Sequence, residues 1–475
     1  MPRRHLRLTP PDGAEIAAAL AELREQLGVS QDFAPEVEAD AETSTEVPRL
    51  PDADETAVEF VTIDPPESLD LDQALQLERN GKGYRVRYAI ADVAAFVAPG
   101  GPMDVEAHAR GQTLYAPDGN ARLYPPRISE GAASLLPNET RPALVWTMEL
   151  DETGEGTAVD VRRALVRSRA KLSYAEVQRS LDAGTASESL QLLREVGLRR
   201  QEREARRGGI ELPIPEQEVE RGRGGYRLAF RALLPVEGWN AQISLLTGQA
   251  AAELMVAAGF GILRTLPEAD AKAIDRLRRT ARALDVEWGD GVSYAPFIRG
   301  LDPDVPAEAA VLAASTILLR GSGYDAFDGD VPEQATHAGV GAPYAHATAP
   351  LRRLVDRYVG EICVSTSAGT TVPEWVRAAL PELPATMDRS TRRAQQYEAG
   401  IISTVEAAVL AHSVGQVFEA VVVELDDHRG GGTVQLREPA VTAHCAGENL
   451  PLGERVEVRL ELADVAKRQV RFVPA

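Results

Sequence analysis

Residues 57–74 read AVEFVTIDPPESLDLDQA. The first seven are rich in β-branched and aromatic side chains and have the make-up of a strand. Pro65 and Pro66 end it in a turn. Four carboxylates then fall within nine residues: Asp64, Glu67, Asp70 and Asp72. Asp70 and Asp72, two apart, point the same way on an extended backbone, and Asp64 can fold back towards them across the Pro-Pro turn. Carboxylates this close repel one another, which should raise their pKa values unless a cation neutralises the group. Hard oxygen ligands in this number suit Mg²⁺, or alternatively Mn²⁺; such an ion turns a bound water into a nucleophile or stabilises a leaving oxygen. An isolated Asp-rich loop is more often a solvated turn, and Glu67 beside the prolines fits that description. The calcium-loop order D-x-[DN]-x-[DN]-G is absent.

Upstream, residues 13–28 place Ile16, Leu20, Leu23 and Leu27 on one helical face. Residues 34–56 are acidic and proline-containing and read as a linker or extended strap. Downstream, residues 84–97 (YRVRYAIADVAAFV) read as a second strand, with Tyr84, Val86 and Tyr88 alternating. Further strands are expected near 144–150 and 159–166. Ser173 with Glu176 forms a capping box, a charged helix follows over 187–206, and strand-like pieces come at 209–219 and 226–235. Helical patterns then dominate at 240–258, 269–283, 306–319, 350–366 and 386–412. Beyond residue 413, short β-branched runs are separated by Gly, Pro and Asp. Five strands of that kind suit a small OB-type barrel, a common binder of single-stranded nucleic acid; a β-domain of another kind is the alternative. The expected architecture is α+β. It has a short N-terminal helical element and acidic linker (1–55), a catalytic core (56–412) and a barrel (413–475).

At 44% hydrophobic and 26% charged, the 475 residues have the composition of a soluble globular protein with room for more than one domain. The opening MPRRHLRLTPPDG has basic residues but no apolar run behind them, so no secretory signal is expected. The most apolar long window, 245–263, carries Gln249 and Glu253 and reads as a packed helix, not a membrane span. Cys363 and Cys445 match no metal or redox spacing. We expect a cytoplasmic, monomeric protein without membrane attachment. A net charge of −21 argues on average against a polyanionic partner, although an enclosed channel needs only local positive potential. Basic stretches occur at Arg3, Arg4 and Arg7; at Arg199, Arg200, Arg203, Arg206 and Arg207; at Arg352, Arg353 and Arg357; and at Arg389, Arg392 and Arg393. Each alone reads as a solvated helix face.

Taken in order, these segments resemble the ribonuclease II/R (RNB) superfamily. TIDPPESLDLDQA looks like the family signature, a TID-type strand end followed by spaced aspartates ending in D-x-D-D-A. YAIADVAAFV resembles the family's IADV strand, and residues 103–144 resemble its D-x-E-A-x-x-R-G…Y-x-P segment. RGGIELPIPE (207–216), GILRTLP (261–267) and YAHATAPLRRLVD (344–356) resemble later blocks, the last being T-S-P-I-R-R-x-x-D. The resemblance covers roughly residues 56–400, and the terminal barrel looks like the family's S1 domain.

The resemblance implies an RNB catalytic domain followed by a five-stranded, S1-like OB-fold. Its implied activity is a 3′-to-5′ exoribonuclease that hydrolyses single-stranded RNA to nucleoside 5′-monophosphates with metal-activated water. By position, Asp64, Asp70 and Asp72 match the metal-site aspartates, and Arg352 matches the arginine at the scissile phosphate. Asp72 and Arg352 would thus carry catalysis. Tyr115, in LYAP, matches the aromatic that stacks on the terminal base. Arg353 would contact the RNA backbone. Glu398 falls near a family glutamate on the substrate side, with Ala399 where an arginine is usual. The family's last aspartate falls on Gln73, whose neutral amide is a poorer ligand for a divalent ion, so metal affinity and number are open to change. The cold-shock domains usual before the core find no room ahead of it here. Against the enzyme stand a non-catalytic RNA-binding relative with a weakened metal site and a phosphodiesterase of another substrate. His337 and His346 lack zinc-like partners and read as structural.

Overall fold

The computed structural model describes residues 13–475 apart from 211, 213–215, 223–224, 232, 304, 427–429 and 437. The basic stretch at Arg3, Arg4 and Arg7 lies outside the described residues. Helix α1 (Gly13–Leu27) buries Ile16, Leu20 and Leu23, as the periodicity predicts. The expected strap is corrected by α2 (Pro35–Glu46), which occupies its first half. Pro35 opens this helix and Glu36 and Glu38 lie in its first turn, where they favour the positive helix end. Val37 and Ala41, four apart, supply a buried stripe too thin to show as periodicity.

Strands β1 (Phe60–Ile63), β2 (Gln73–Asn80), β3 (Gly83–Ala91), β4 (Thr140–Leu150) and β5 (Gly156–Leu172) close into a barrel in sequence order. Neighbours pair antiparallel, except that β1 runs parallel to β5 to close the ring. Val86, Tyr88, Trp146 and Val161 are at most 1% exposed and fill the core of this region. β2 is a strand the sequence reading did not anticipate. Its run QALQLERN buries only Ala74, Leu75 and Leu77, a weak alternation masked by the acidic turn before it.

Helices surround the barrel. α3 (Pro102–Arg110) lies between β3 and β4; α4 (Tyr174–Asp182) and α5 (Glu188–Arg206) follow β5. The hairpin β6 (Glu216–Gly222) and β7 (Gly225–Arg231) precedes α6 (Pro235–Ala258), and β8 (Phe260–Thr265) comes next. A satellite cluster of α7 (Ala271–Ala283), α8 (Tyr294–Arg299) and α9 (Pro306–Ser315) has its own apolar core. After β9 (Gly323–Asp328), which pairs with β8, and the short β10 (Thr336–His337) and β11 (Ala342–Pro343), the chain enters α10 (Leu354–Ser367). α11 (Glu374–Ala379) and the 28-residue α12 (Leu383–Leu410) complete the helical part.

Strands β12 (Val417–Leu425), β13 (Gly432–Leu436), β14 (Val441–Cys445), β15 (Arg455–Asp464) and β16 (Gln469–Pro474) form the second closed barrel, in the order β12-β13-β14-β16-β15. The α+β class with a terminal five-stranded barrel is thus as expected. Both cysteines are free and buried. Among the described residues, no helix is long and apolar enough to cross a membrane.

Candidate active site

The acidic segment is the loop from β1 to β2, and it is pinned on both sides. The Asp64 N–H donates to the Leu172 carbonyl at 3.0 Å, extending the β1–β5 pairing. Lys171 Nζ donates to the carbonyls of Pro66 (2.6 Å) and Ser68 (2.5 Å). Ser134 Oγ donates to the Leu69 carbonyl at 2.6 Å and accepts the Leu71 N–H at 3.0 Å. Leu71 is fully buried, so its neighbours Asp70 and Asp72 are fixed by an anchored apolar side chain.

Asp72 is 3% exposed. Its Oδ1 accepts the Leu351 N–H at 2.7 Å, and its Oδ2 lies 3.2 Å from Arg352 Nε. Those partners arrive on the segment before α10, which Asp356 in the first turn of that helix locks. The Asp356 carboxylate accepts the Ala349 N–H (2.7 Å) and two bonds from the Arg353 guanidinium, at 2.8 and 2.7 Å. Of the adjacent arginines, therefore, Arg353 is committed to Asp356, whereas the Arg352 side chain is 46% exposed and faces the acidic loop.

The Thr113 N–H donates to the Arg352 carbonyl at 2.9 Å, which brings the next loop alongside. There the Tyr115 hydroxyl donates to Asp70 Oδ2 at 2.8 Å while the residue stays 47% exposed. The phenol is thus tethered by its oxygen and offers a free ring.

Gln73 opens β2 beside Asp72 with both ends of its amide engaged. Nε2 donates to the Thr348 carbonyl at 2.7 Å; Oε1 accepts from the Tyr88 hydroxyl and, at 3.4 Å, from Ser244 Oγ. Tyr174 joins the site from the first position of α4, placed by the Ser173–Glu176 capping box. Its phenol is held up in pKa by burial and then by Asp64, and accepts from Asn240 Nδ2 at 3.3 Å. The sequence reading found the cap but not Tyr174. The available signal was its position directly after the strand that pairs with β1.

Burial pushes the Asp64 carboxyl up to about 6 and that of Asp72 up to about 8. Arg352 opposes both shifts, and repulsion from Asp70 adds to them less than burial does. The rise is as the clustered carboxylates predict, but its main cause is loss of water, not mutual repulsion.

The donor chemistry fits a hard divalent ion: the groups are carboxylate oxygens, and the burial that raises Asp64 and Asp72 favours a proton with which a cation would compete. Among the described residues, however, no three His, Cys, Asp or Glu side chains are gathered at metal-holding distances. The charges of Asp70 and Asp72 are met instead by Tyr115 and Arg352. Glu67 is exposed, as a solvated turn residue should be, and Glu398 is exposed on α12. His346 Nδ1 lies 2.7 Å from the Tyr324 hydroxyl. Burial lowers His337 to about 4 and His346 well below its ordinary value, so both are neutral members of an aromatic cluster with Tyr344.

Residues 53–365 match the RNB domain, and residues 416–475 match the RNase II-type exonuclease C-terminal S1 domain. Ribonuclease R of Aquifex aeolicus is 26% identical over 450 residues, covering 86% of this chain and 63% of the relative. Ribonuclease R of Escherichia coli is 26% identical over 472 residues, covering 87% of this chain and 56% of the relative. The chain therefore spans less than two thirds of the length of these relatives. The solved structure of Mycoplasma genitalium RNase R in complex with ribose methylated single-stranded RNA shares the fold. It aligns with a TM-score of 0.86 at 18% identity, covering 97% of this chain and 78% of that one.

Proposed function

The chain belongs to the RNB domain family, and on that premise we propose that it is a 3′-to-5′ exoribonuclease releasing nucleoside 5′-monophosphates from single-stranded RNA. The observation that carries this reading is the contact of buried Asp72 with half-exposed Arg352, beside the Asp70–Tyr115 hydrogen bond. An anionic group and a guanidinium are held together where an exposed aromatic face begins.

In this reading Asp64, Asp70 and Asp72 would hold Mg²⁺ or Mn²⁺, and that ion when bound would supply an activated water and charge stabilisation for the leaving oxygen. The Leu351 N–H holds one Asp72 oxygen in a fixed direction. Arg352 takes the scissile phosphate and offsets the charge that develops as water adds to phosphorus. The bond from phosphorus to the 3′-oxygen breaks, that oxygen takes up a proton, and the terminal nucleotide departs as its 5′-monophosphate. Tyr115 offers its ring to the last base; stacking suits any sequence because every base has a π-face. Arg353, paired with Asp356, acts by positioning Arg352 and does not itself reach the phosphate. We assign Glu398 no role in the reaction.

The test is a 5′-labelled single-stranded RNA incubated with Mg²⁺, Mn²⁺ or EDTA and resolved on a denaturing gel. We expect metal-dependent shortening from the 3′ end, absent on matched DNA and lost in Asp72→Asn, which keeps the shape and the Leu351 bond. Intact RNA in every lane with a retained gel shift would make the protein a non-catalytic RNA binder. Undiminished turnover by Asp72→Asn would overturn the residue assignment.

A further inference from the structure

We infer that Arg24, on the N-terminal helix, is a positioning residue that latches the tip of the Tyr115 loop and so fixes the ring on which the terminal base rests. This rests on Tyr115 serving as the base platform. The loop is a narrow hairpin: the N–H groups of Leu114 and Ala121 each donate to the other's carbonyl at 2.9 Å. Its root is secured by the Thr113 bond to Arg352 and by Gln112, whose Nε2 donates to the Ser390 carbonyl at 3.0 Å. A root fixed in this way does not fix the tip. The tip carries Asp118, and Arg24 Nη1 donates to both of its carboxylate oxygens, at 3.0 and 2.9 Å. The same nitrogen donates to the Tyr397 hydroxyl of α12 at 3.4 Å. With side chains only 15% and 16% exposed, this pair is shielded from water and salt as a surface pair is not.

α1 is seated firmly enough to act as an anchor. Ile16, Leu20 and Leu23 share one apolar cluster with Leu114 and Ala121 of the hairpin and with Ile401 and Val405 of α12. The fit against α12 is so close that a Cβ on Gly400 would come within 2.7 Å of Leu23. Just after the helix, Arg110 Nη1 donates to the Ser30 and Arg122 carbonyls (both 2.9 Å), Nη2 donates to that of Asp32 (2.6 Å), and the guanidinium lies 3.9 Å from the centre of the Phe33 ring. The N-terminal element therefore grips the hairpin at tip and root. Tyr115 lies between the Asp118 latch and its own bond to Asp70, so slack at the tip becomes freedom of the ring.

The experiment uses the full chain, a short 5′-labelled single-stranded RNA, and amide hydrogen exchange over residues 113–121. In Arg24→Ala we expect KM to rise about tenfold with kcat changed by less than about twofold, the size of a lost charged hydrogen bond. Exchange over 113–121 should quicken while β3 and α10 stay protected. Asp118→Ala should do the same, and Arg24→Lys should recover part of the loss. Arg24→Ala combined with Tyr115→Ala should have the KM of Tyr115→Ala alone, because both act through one ring. Unchanged KM and unchanged exchange in Arg24→Ala would overturn the latch. So would a lowered melting temperature with KM intact, which is the mark of a merely structural residue. If Tyr115→Ala itself leaves KM unchanged, the base-platform reading fails, and exchange over 113–121 alone decides whether the tip is latched.

Discussion

Asp72 gives up water for one backbone N–H and one guanidinium, and its elevated pKa has consequences both for stability and for metal binding. The folded protein binds this proton more tightly than the unfolded chain, whose value is the ordinary 3.8, so without a cation the carboxyl stabilises the fold only while protonated. That stability is lost as pH climbs from there towards about 8; Asp64 adds a smaller loss ending near 6. In EDTA, the melting temperature should therefore fall between pH 5 and pH 8, and Asp72→Asn should flatten the fall and melt a few degrees higher at pH 8. A melting temperature that rises over this range would contradict the assigned direction. Mg²⁺ bound as proposed would compete with the same protons, so calorimetric affinity for it should increase from pH 6 to pH 8. Gln73 has another task. It ties β2 to Thr348, Tyr88 and Ser244, so Gln73→Ala should cost about 1–3 kcal/mol, read from denaturant unfolding, by leaving buried partners unsatisfied.

At the scale of elements, the site depends on how loops are held between rigid ends. The β1–β2 loop hangs on Lys171, whose ammonium accounts for the carbonyls of Pro66 and Ser68. Lys171→Met keeps the apolar stem but removes both bonds. We expect turnover to drop about tenfold or more with the melting temperature nearly unchanged, because a misplaced reacting group costs rate before it costs stability. Equal kcat in the variant would show that the loop holds its shape without the lysine. The capping box at Ser173 was legible in the sequence because a cap is a contact between residues three apart. Helix α2 was not: an acidic, proline-containing segment reads as a strap until Val37 and Ala41 find a core to enter. β2 was missed for a similar reason, its alternation being spread over only three buried side chains.

Over the whole molecule, the net charge of −21 bears on how RNA would be held in the proposed function. Several arginines in the basic runs are committed inside the fold: Arg200 to Gln249 and the Gly154 carbonyl, Arg357 to Asp104, Arg353 to Asp356. They do not serve as a free basic track. RNA affinity should therefore weaken only about tenfold for a fourfold rise in salt, as about two phosphate contacts would give. A loss of several hundredfold or more would show that exposed arginines follow the backbone over many nucleotides.

What the sequence determined by itself is what short-range chemistry encodes: helical and strand periods, the capping box, the five short strands of the terminal barrel, and the spaced Asp64, Asp70 and Asp72. Its ordered motifs also carried the family. Tertiary structure alone decided that the first five strands close into a barrel, that Arg352 rather than Arg353 faces the acids, and that burial outweighs repulsion in raising Asp72. It also decided that Gln73 is a tie between elements and that α1 reaches the Tyr115 loop. Each of these depends on partners far apart along the chain, such as Asp72 with Leu351 or Arg24 with Asp118. Which distant group a side chain meets, and how much water it loses there, is fixed only when the packed core brings the two together.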